Sequence, residues 1–163
     1  MKKIENKEEK NFGPEEEARK IVSKLLNENE LCVLATATLE GKPEAATIEF
    51  VADKEGNIYF ETFPSYRKYV NLKKNPQASI VITQESYTLQ MDGTVTELKL
   101  LSEIKAKARL IKKHGLGSGF YFDKTITFFK FTPSWTRVLV EARFPPKYVV
   151  VKGEGPKGVH TLH

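Results

Sequence analysis

The chain has 163 residues, a formal net charge of +5 and 40% apolar residues. This length suits one domain with a sizeable core, and no apolar run approaches the roughly 20 residues that a membrane span requires. The charged segment Met1–Lys10 argues against a secretory signal peptide. Because the single Cys32 cannot form an internal disulfide, we expect a cytoplasmic protein. One cysteine and three histidines also make a zinc site unexpected.

Helical and strand patterns fill the chain between two polar ends. We expect 1–13 and 153–163 to be flexible tails and 14–152 to form one domain. Pro14 followed by three glutamates predicts the start of a helix, because proline and acids both suit a first turn. Apolar residues recur behind it at helical spacing, at Ala18, Ile21, Val22, Leu25 and Leu26.

Apolar and β-branched runs separated by turn residues predict short strands after this helix. The predicted strands cover 31–38, 44–51, 58–62, 78–83, 88–97, 126–131 and 136–142. Asp92-Gly93 predicts a bulge or a tight turn within the fifth strand. Two further helices are predicted over 66–74 and 98–114, the second with its apolar face at Leu100, Leu101, Ile104, Ala108 and Ile111. These elements close most simply into a small antiparallel barrel.

The turn between the third predicted strand and the second helix suits an anion. Ser65 is placed to cap a helix that opens at Tyr66. Arg67 and Lys68 follow in the first helical turn, where acids are usually preferred. Two cations beside free backbone N–H groups and the positive end of the helix dipole predict a bound phosphate, and therefore a phosphorylated ligand.

Several short motifs follow one another at a fixed spacing. They are Leu34-Ala35-Thr36-Ala37, Gly41-Lys42-Pro43, Tyr59-Phe60-Glu61-Thr62, Arg67-Lys68, Asn71-Leu72 and Asn75-Pro76. Together, over roughly 14–96, the chain resembles the pyridoxamine 5'-phosphate oxidase-like FMN-binding split barrels. The resemblance implies a mainly β (α+β) fold, a six- or seven-stranded antiparallel split β-barrel with a leading helix and two inserted helices. It also implies a homodimer that holds FMN at the subunit interface.

The resemblance also assigns cofactor contacts. Thr62, Arg67 and Lys68 would hold the FMN phosphate, and the strand 46–51 would run along the isoalloxazine ring and the ribityl chain. Gln90 would hydrogen-bond the edge of the ring, and Trp135 would belong to the interface wall. The candidate cofactor-binding residues are Ala46, Thr47, Ile48, Glu49, Phe50, Val51, Glu61, Thr62, Ser65, Arg67, Lys68, Gln90 and Trp135. No catalytic acid or base is assigned, since FMN carries the redox chemistry itself.

The chain departs from the vitamin B6 oxidases of this family in two places. Those oxidases carry an Arg and a Lys at the ends of the flavin-contacting strand, where this chain has Ala46 and Val51. Their C-terminal Arg-containing segment, which recognises pyridoxal phosphate, has no counterpart in 144–163. We therefore expect a related FMN-dependent oxidoreductase that acts on an unidentified small molecule.

Other functions remain open at this point. A deazaflavin could replace FMN within the same architecture, or the protein could bind a flavin without turning over a substrate. The net charge and the aromatic residues also admit a nucleic-acid-binding small barrel. We rank that alternative lower, because the cations gather at a turn suited to one phosphate rather than along a groove.

Individual residues also have plainer interpretations. Arg67 and Lys68 suit a solvated helix surface, and Glu49 either faces solvent or lies near the flavin. Trp135 belongs either to the core or to an interface. The same two alternatives apply to the aromatic cluster Phe120, Tyr121, Phe122, Phe128, Phe129 and Phe131.

Overall fold

The computed structural model describes residues 14–116 and 120–151, and the two predicted tails lie outside these ranges. The helices in the described ranges are α1 (Pro14–Glu28), α2 (Arg67–Lys74), α3 (Leu101–His114) and a short 3-10 helix (Phe120–Phe122). The strands are β1 (Leu31–Ala37), β2 (Pro43–Glu49), β3 (Val51–Ala52), β4 (Ile58–Thr62), β5 (Gln77–Gln84), β6 (Tyr87–Glu97), β7 (Thr127–Glu141) and β8 (Lys147–Val150).

The strands form one antiparallel sheet that curls into a partly open barrel. Their order is β2-β1-β5-β6-β7-β4-β3, with β8 paired to the far half of β7. The two edge strands, β2 and β3, are separated in the chain by Phe50 alone, so the two edges of the sheet meet there. We call the opening between β2 and β4, which contact each other without pairing, the split. The predicted split-barrel fold with a leading helix and two inserted helices is confirmed.

The predicted strand 44–51 is wrong in one respect, because it breaks into β2 and β3 at Phe50. The Phe50 side chain is fully buried, and its backbone N–H donates to the carbonyl oxygen of Glu30, 3.2 Å away, instead of to a neighbouring strand. An aromatic side chain drawn into the core thus bends the chain from one edge of the sheet to the other. The alternation of apolar and polar residues in the sequence, on which the strand prediction is based, does not reveal such a bend.

The barrel core is filled by aromatic and branched side chains, and α1 covers one of its ends. As predicted, the apolar face of α1 packs inward, with Ala18, Ile21, Leu25 and Leu26 buried in the same cluster as the strand residues. Phe60 and Phe131 are fully buried at the centre, and each such side chain stabilises the fold by about 1.5–3 kcal/mol. Cys32 is also buried, which raises the pKa of its thiol to about 12 and makes it an unreactive core residue.

The face of α3 that packs on the barrel differs from the predicted one. Leu100, Leu101 and Ile104 are 82%, 73% and 63% exposed, whereas Ala106 and Leu110 are buried. The sequence of α3 contains two apolar stripes, and helical spacing alone does not decide which one faces the core. The inward stripe packs on β4 and β7, where Ala106 and Leu110 share a cluster with Tyr121, Ile126 and Phe128.

The last turn of α3 is tied to the far side of the molecule. The Lys113 ammonium group donates to the backbone carbonyl oxygens of Asn29 and Leu26, at the end of α1. Nε2 of His114 lies 2.9 Å from the carbonyl oxygen of Phe50. The end of α3 therefore satisfies backbone groups that the ends of α1 and β2 leave open.

A β-bulge at Asp92 and Gly93 shifts the register between β6 and β7, which confirms the bulge alternative. A Cβ atom added at Gly93 would lie 2.2 Å from the carbonyl oxygen of Thr132, so this position requires glycine. Pro133 lies opposite Gly93, where no backbone donor is needed. Because the sheet accommodates Pro133 at the bulge, pairing continues past it, and the two predicted late strands form the single strand β7. The strand β8 was missing from the predicted set.

The aromatic cluster belongs mainly to the core. Tyr121, Phe128, Phe129 and Phe131 are buried, while Phe122 is exposed and lies beneath the Lys107 ammonium group. Within the described residues, no helix has the length and apolar character needed to cross a membrane.

Candidate functional site

The turn that follows β4 carries the predicted phosphate residues. After Thr62 the chain reverses, and the Tyr66 N–H donates to the carbonyl oxygen of Phe63 at 3.0 Å. The helix α2 begins at Arg67 with Tyr66 as its N-cap, and no side chain caps it. The predicted cap by Ser65 is therefore wrong, because the helix starts one residue later than the serine requires.

A buried carboxylate from β2 lies against this turn. The side chain of Glu44 is only 10% exposed, and its Oε1 lies 3.6 Å from Nε of Arg67. Asn71 donates to Oε2 of Glu44 at 3.2 Å and to Oγ1 of Thr36 at 3.0 Å. Sequence reasoning missed Glu44, and the signal that finds it is the register of β1 and β2, which pairs it with Thr36.

Lys68 points into the same region. It is half-buried, and burial lowers the pKa of its ammonium group, while the nearby carboxylates Glu44 and Glu61 oppose that shift. The ammonium nitrogen lies 4.6 Å from the centroid of the Tyr66 ring. A partly desolvated cation attracts an added anion more strongly than a fully solvated lysine does, and the two nearby carboxylates offset part of that attraction.

Thr62 contributes a hydroxyl that lacks a partner. Its side chain is 3% exposed, and within the described residues Oγ1 has no hydrogen-bond partner. A buried hydroxyl left unsatisfied costs roughly 1–3 kcal/mol. A ligand oxygen at this position would remove that cost, so the residues at the turn fit a phosphate group.

A second group of titratable side chains lies beside the split. Burial and the neighbouring Glu49 raise the pKa of Glu61 to about 7, and Lys68 opposes this rise. The Tyr121 hydroxyl donates to Oε2 of Glu49 at 3.2 Å. Within the described residues, Oε2 of Glu61 has no hydrogen-bond partner. Glu49 therefore lies at the split rather than in open solvent, and Glu61 is close to half protonated at neutral pH.

The other predicted contacts on 46–51 face in different directions. Ile48 is buried in the core and Thr47 is exposed on the outer surface of the sheet, as alternation requires. Ala46 has the same orientation as Ile48. Since the Phe50 side chain is enclosed by the core, only its backbone is left for a ligand. Val51 packs against the cluster beneath α3.

Gln90 and Trp135 lie in a different part of the sheet from the turn. Thr62 pairs with Thr127 at the start of β7, whereas Gln90 pairs with Arg137. These positions on β7 are about 30 Å apart along the strand. An Arg137 Nη atom donates to Oε1 of Gln90 at 2.7 Å, and the guanidinium group also lies near the Trp135 ring. Within the described residues, the hydrogen bond of Gln90 and the ring contact of Trp135 are thus with Arg137 and not with residues of the phosphate turn.

Gln90 is the middle of a line of side chains that crosses the outer surface of the sheet. We call this line the outer row. Strand register places in it Thr47, Val33, Val81, Gln90, Arg137 and Val150. Val33 and Val150 are exposed, as are Leu31 and Tyr148 in the adjacent row. The outer surface of the sheet therefore exposes several large apolar side chains.

A cleft of about 1170 Å³ lies elsewhere, between α1, α3, the β3–β4 turn and the bulged part of β7. Of the predicted site residues, Val51 and Trp135 line it, and none of the residues at the phosphate turn does. We assign the site to the turn rather than to this larger space, because the turn holds the unpartnered hydroxyl and the partly desolvated cation.

The fold and the turn together define a class of protein, a partly open antiparallel barrel with an anion-suited turn beside the split. The family model described as Pyridoxamine 5'-phosphate oxidase matches residues 18–139, which is more than half of the chain. The chain belongs to this family. Among curated proteins, none matches the sequence.

Solved structures confirm the architecture. HutZ, the heme storage protein from Vibrio cholerae, is 21% identical with a TM-score of 0.63, and the match covers 71% of this chain and 89% of HutZ. A heme binding protein from Mycobacterium smegmatis is 18% identical with a TM-score of 0.67, over 85% of this chain and 58% of that one. An F420 reductase is 18% identical with a TM-score of 0.55, over 70% of this chain and 94% of that one. At these identities the likeness shows the fold alone.

Proposed function

We propose that this protein binds FMN, with the phosphate at the turn after β4, and that it is an oxidoreductase acting on a small molecule. The observation that carries the proposal is the buried hydroxyl of Thr62, which has no partner within the described residues and shares the turn with Arg67 and Lys68. Bound FMN would supply the hydride or electron chemistry. The protein's own residues bind the cofactor, orient it and exclude water.

The turn offers the donors that a phosphate needs. Arg67 and Lys68 provide charge-assisted hydrogen bonds, and Thr62 provides a hydroxyl. The Tyr66 and Tyr69 N–H groups already donate to backbone oxygens, which leaves the N–H groups of Arg67 and Lys68 at the start of α2 for phosphate oxygens. Riboflavin lacks the phosphate and would use none of these groups, which makes it the natural control ligand.

We propose further that the protein is a homodimer and that the outer row lies in its interface. The apolar, exposed surface around Val33 and Val150 supports this, because a two-fold dimer would cover it. Gln90 and Trp135 lie on the same surface but far from the turn of their own subunit. In a dimer, the partner subunit would bring them to a flavin ring whose phosphate sits at the turn.

Relatives of this fold suggest two other ligands, a deazaflavin and heme. For heme, the described residues offer one imidazole, His114, whose Nε2 already contacts a backbone oxygen. For a deazaflavin, the phosphate turn would serve equally well. Both are therefore outcomes of the experiment below, and FMN is the ligand that the turn and the resemblance favour together.

The test is an absorbance scan of the purified protein, followed by titration of any colourless form with FMN and with riboflavin. We expect the two bands of an oxidised flavin, or saturable FMN binding at one per subunit with riboflavin clearly weaker. An intense Soret band or the single band of a deazaflavin would replace FMN by that ligand. Absence of colour and of FMN binding would contradict the proposal.

The dimer has a separate test. Replacing Val81, which lies in the outer row, by Lys would place an ammonium group from each subunit in the proposed interface. We expect this variant to elute and scatter light as a monomer, and the wild type as a dimer. The matched control is Ala108→Lys, which adds the same charge at an exposed position of α3, away from the outer row. A monomeric wild type would contradict the dimer and leave the phosphate site in place.

A further inference from the structure

We infer that Glu44 is a built-in counter-anion of the phosphate turn, which holds Arg67 when the turn is empty and must release it when a phosphate enters. The inference rests on the proposed function, because it concerns the same turn. Glu44 thereby sets how tightly a phosphorylated ligand is bound. It is not among the residues to which the family resemblance assigns a contact.

The contacts fix the carboxylate more firmly than they fix the guanidinium. Glu44 is almost completely buried and accepts a hydrogen bond from Asn71, whose side-chain nitrogen also contacts Oγ1 of Thr36. The Arg67 side chain is 76% exposed and reaches Glu44 at 3.6 Å. Arg67 is therefore the partner that is free to turn away, and the Glu44 carboxylate is the partner that stays.

Much of the positive charge at the turn is already offset without a ligand. The cations Arg67 and Lys68 face the carboxylates Glu44 and Glu61, and Lys68 interacts with both acids. A phosphate monoester brings a further −1.5 to −2 charges at neutral pH, by the general value for such groups. A phosphate at the turn therefore comes close to a carboxylate that is held in place, and it competes with that carboxylate for the Arg67 guanidinium group.

Two consequences follow for Arg67 and Lys68. Part of the attraction between Arg67 and a phosphate is offset by the loss of its contact with Glu44. Within the described residues Lys68 forms no close ion pair of this kind, although Glu44 and Glu61 both act on its charge. Lys68 thus contributes more to phosphate binding than Arg67 does, although arginine is generally the better phosphate ligand.

The experiment compares Glu44→Gln with the wild type in titrations with FMN and riboflavin. The amide keeps the size of the side chain and an oxygen that accepts from Asn71. We expect Glu44→Gln to bind FMN about tenfold more tightly, with riboflavin affinity unchanged. The matched control is Glu55→Gln, which makes the same change of net charge at an exposed position in the β3–β4 turn.

The outcomes separate this inference from the proposed function. Equal affinity of the wild type for FMN and riboflavin, or no binding of either, would defeat the phosphate site itself. A wild type that prefers FMN, together with a Glu44→Gln variant no tighter than Glu55→Gln, would defeat the role of Glu44 alone. Weaker FMN binding by Glu44→Gln would also overturn it, because Glu44 would then be orienting Arg67 toward the ligand.

A second variant gives the same answer if Glu44→Gln folds poorly. Arg67→Ala changes an exposed side chain and leaves the Glu44–Asn71 contact in place. Both variants should bind FMN more weakly than the wild type. We expect the fold-loss of affinity in Arg67→Ala to be at least about threefold smaller than the fold-loss in Lys68→Ala. Equal losses, or a larger loss for Arg67→Ala, would contradict the inference.

Discussion

The phosphate turn and the outer row carry two halves of one predicted site, and they differ in how far a single subunit completes them. At the turn, Thr62, Arg67, Lys68 and Glu61 come from adjacent segments of chain and lie within reach of one another. In the outer row, Gln90 contacts Arg137 of the same sheet, and among the described residues its side chain has no hydrogen bond to the turn. A site formed by local sequence is complete in one chain, whereas one formed on a sheet surface depends on what covers that surface.

The bulge at Gly93 separates these two regions, and breaking it should have the largest effect. In Gly93→Ala, the new Cβ would collide with the carbonyl oxygen of Thr132 and with the Phe131 ring. Because the Thr132 carbonyl is part of a paired strand and the Phe131 ring is fully buried, we expect a loss of about 3 kcal/mol in the free energy of unfolding. Urea denaturation measures this loss. A variant as stable as wild type would mean that β6 and β7 can adopt another register in which the bulge is not needed.

The turn alone should respond to Lys68→Ala. We expect FMN binding to weaken by roughly 1.5–3 kcal/mol, the scale of a charge-assisted hydrogen bond, with little effect on riboflavin. Fluorescence titration of both flavins measures the difference. If both ligands weaken equally, Lys68 contacts something other than the phosphate.

The Glu61 carboxyl should make stability depend on pH. Its pKa is about 7 in the folded protein against an ordinary value of 4.5, so the folded state holds the proton more tightly than the unfolded state. Stability is then unaffected below about pH 4.5, falls as pH rises toward 7 and stays reduced above it. The groups around Glu61 are Glu49, Tyr121 and Lys68, and of these Glu49 adds to the effect while Lys68 reduces it.

Glu61→Gln isolates this contribution from the other carboxylates. We expect the variant to be more stable than wild type by about 1–2 kcal/mol at pH 8 and equal to it at pH 4.5. Urea denaturation at the two pH values, with Glu55→Gln as the control, measures the difference. The same offset at both pH values would show that Glu61 acts through packing rather than through its charge.

The smallest effect is expected for Thr62→Val, which keeps the shape of the side chain and removes the unpartnered hydroxyl. The free protein should become slightly more stable, by up to about 1 kcal/mol, while FMN binding weakens by roughly 0.5–1.5 kcal/mol. Thermal unfolding and FMN titration give the two values. A variant that is both less stable and weaker in FMN binding would mean that the hydroxyl already has a hydrogen-bond partner in the free protein.

Much of the fold could be predicted from the sequence, because the decisive signals were local. Pro14 and the acids after it, the spacing of Leu25 and Leu26, and the Asp92-Gly93 pair each specify one element through nearby residues. Prediction failed where the outcome depended on distant partners. The bend at Phe50 requires a core to receive its ring, and the exposed stripe of α3 is decided by the barrel surface beneath it.

The candidate site divides along the same line. The cations Arg67 and Lys68 were evident from the motif, but the carboxylate that opposes them was not. Glu44 comes from the neighbouring segment of the sheet and reaches the turn only through the pairing of β2 with β1. A sequence shows which residues favour an anion more readily than it shows which residues compete with that anion.

The contact between Lys113 and the end of α1 has a consequence for the order of folding. The lysine and its acceptor Asn29 are 84 positions apart in the chain, and the intervening segment includes β1 to β6. Because such long-range contacts form only after the entropy of closing the loop has been lost, the end of α1 becomes fixed late, when α3 docks. Hydrogen exchange at the last turn of α1 should therefore report the docking of α3 rather than the stability of α1 itself.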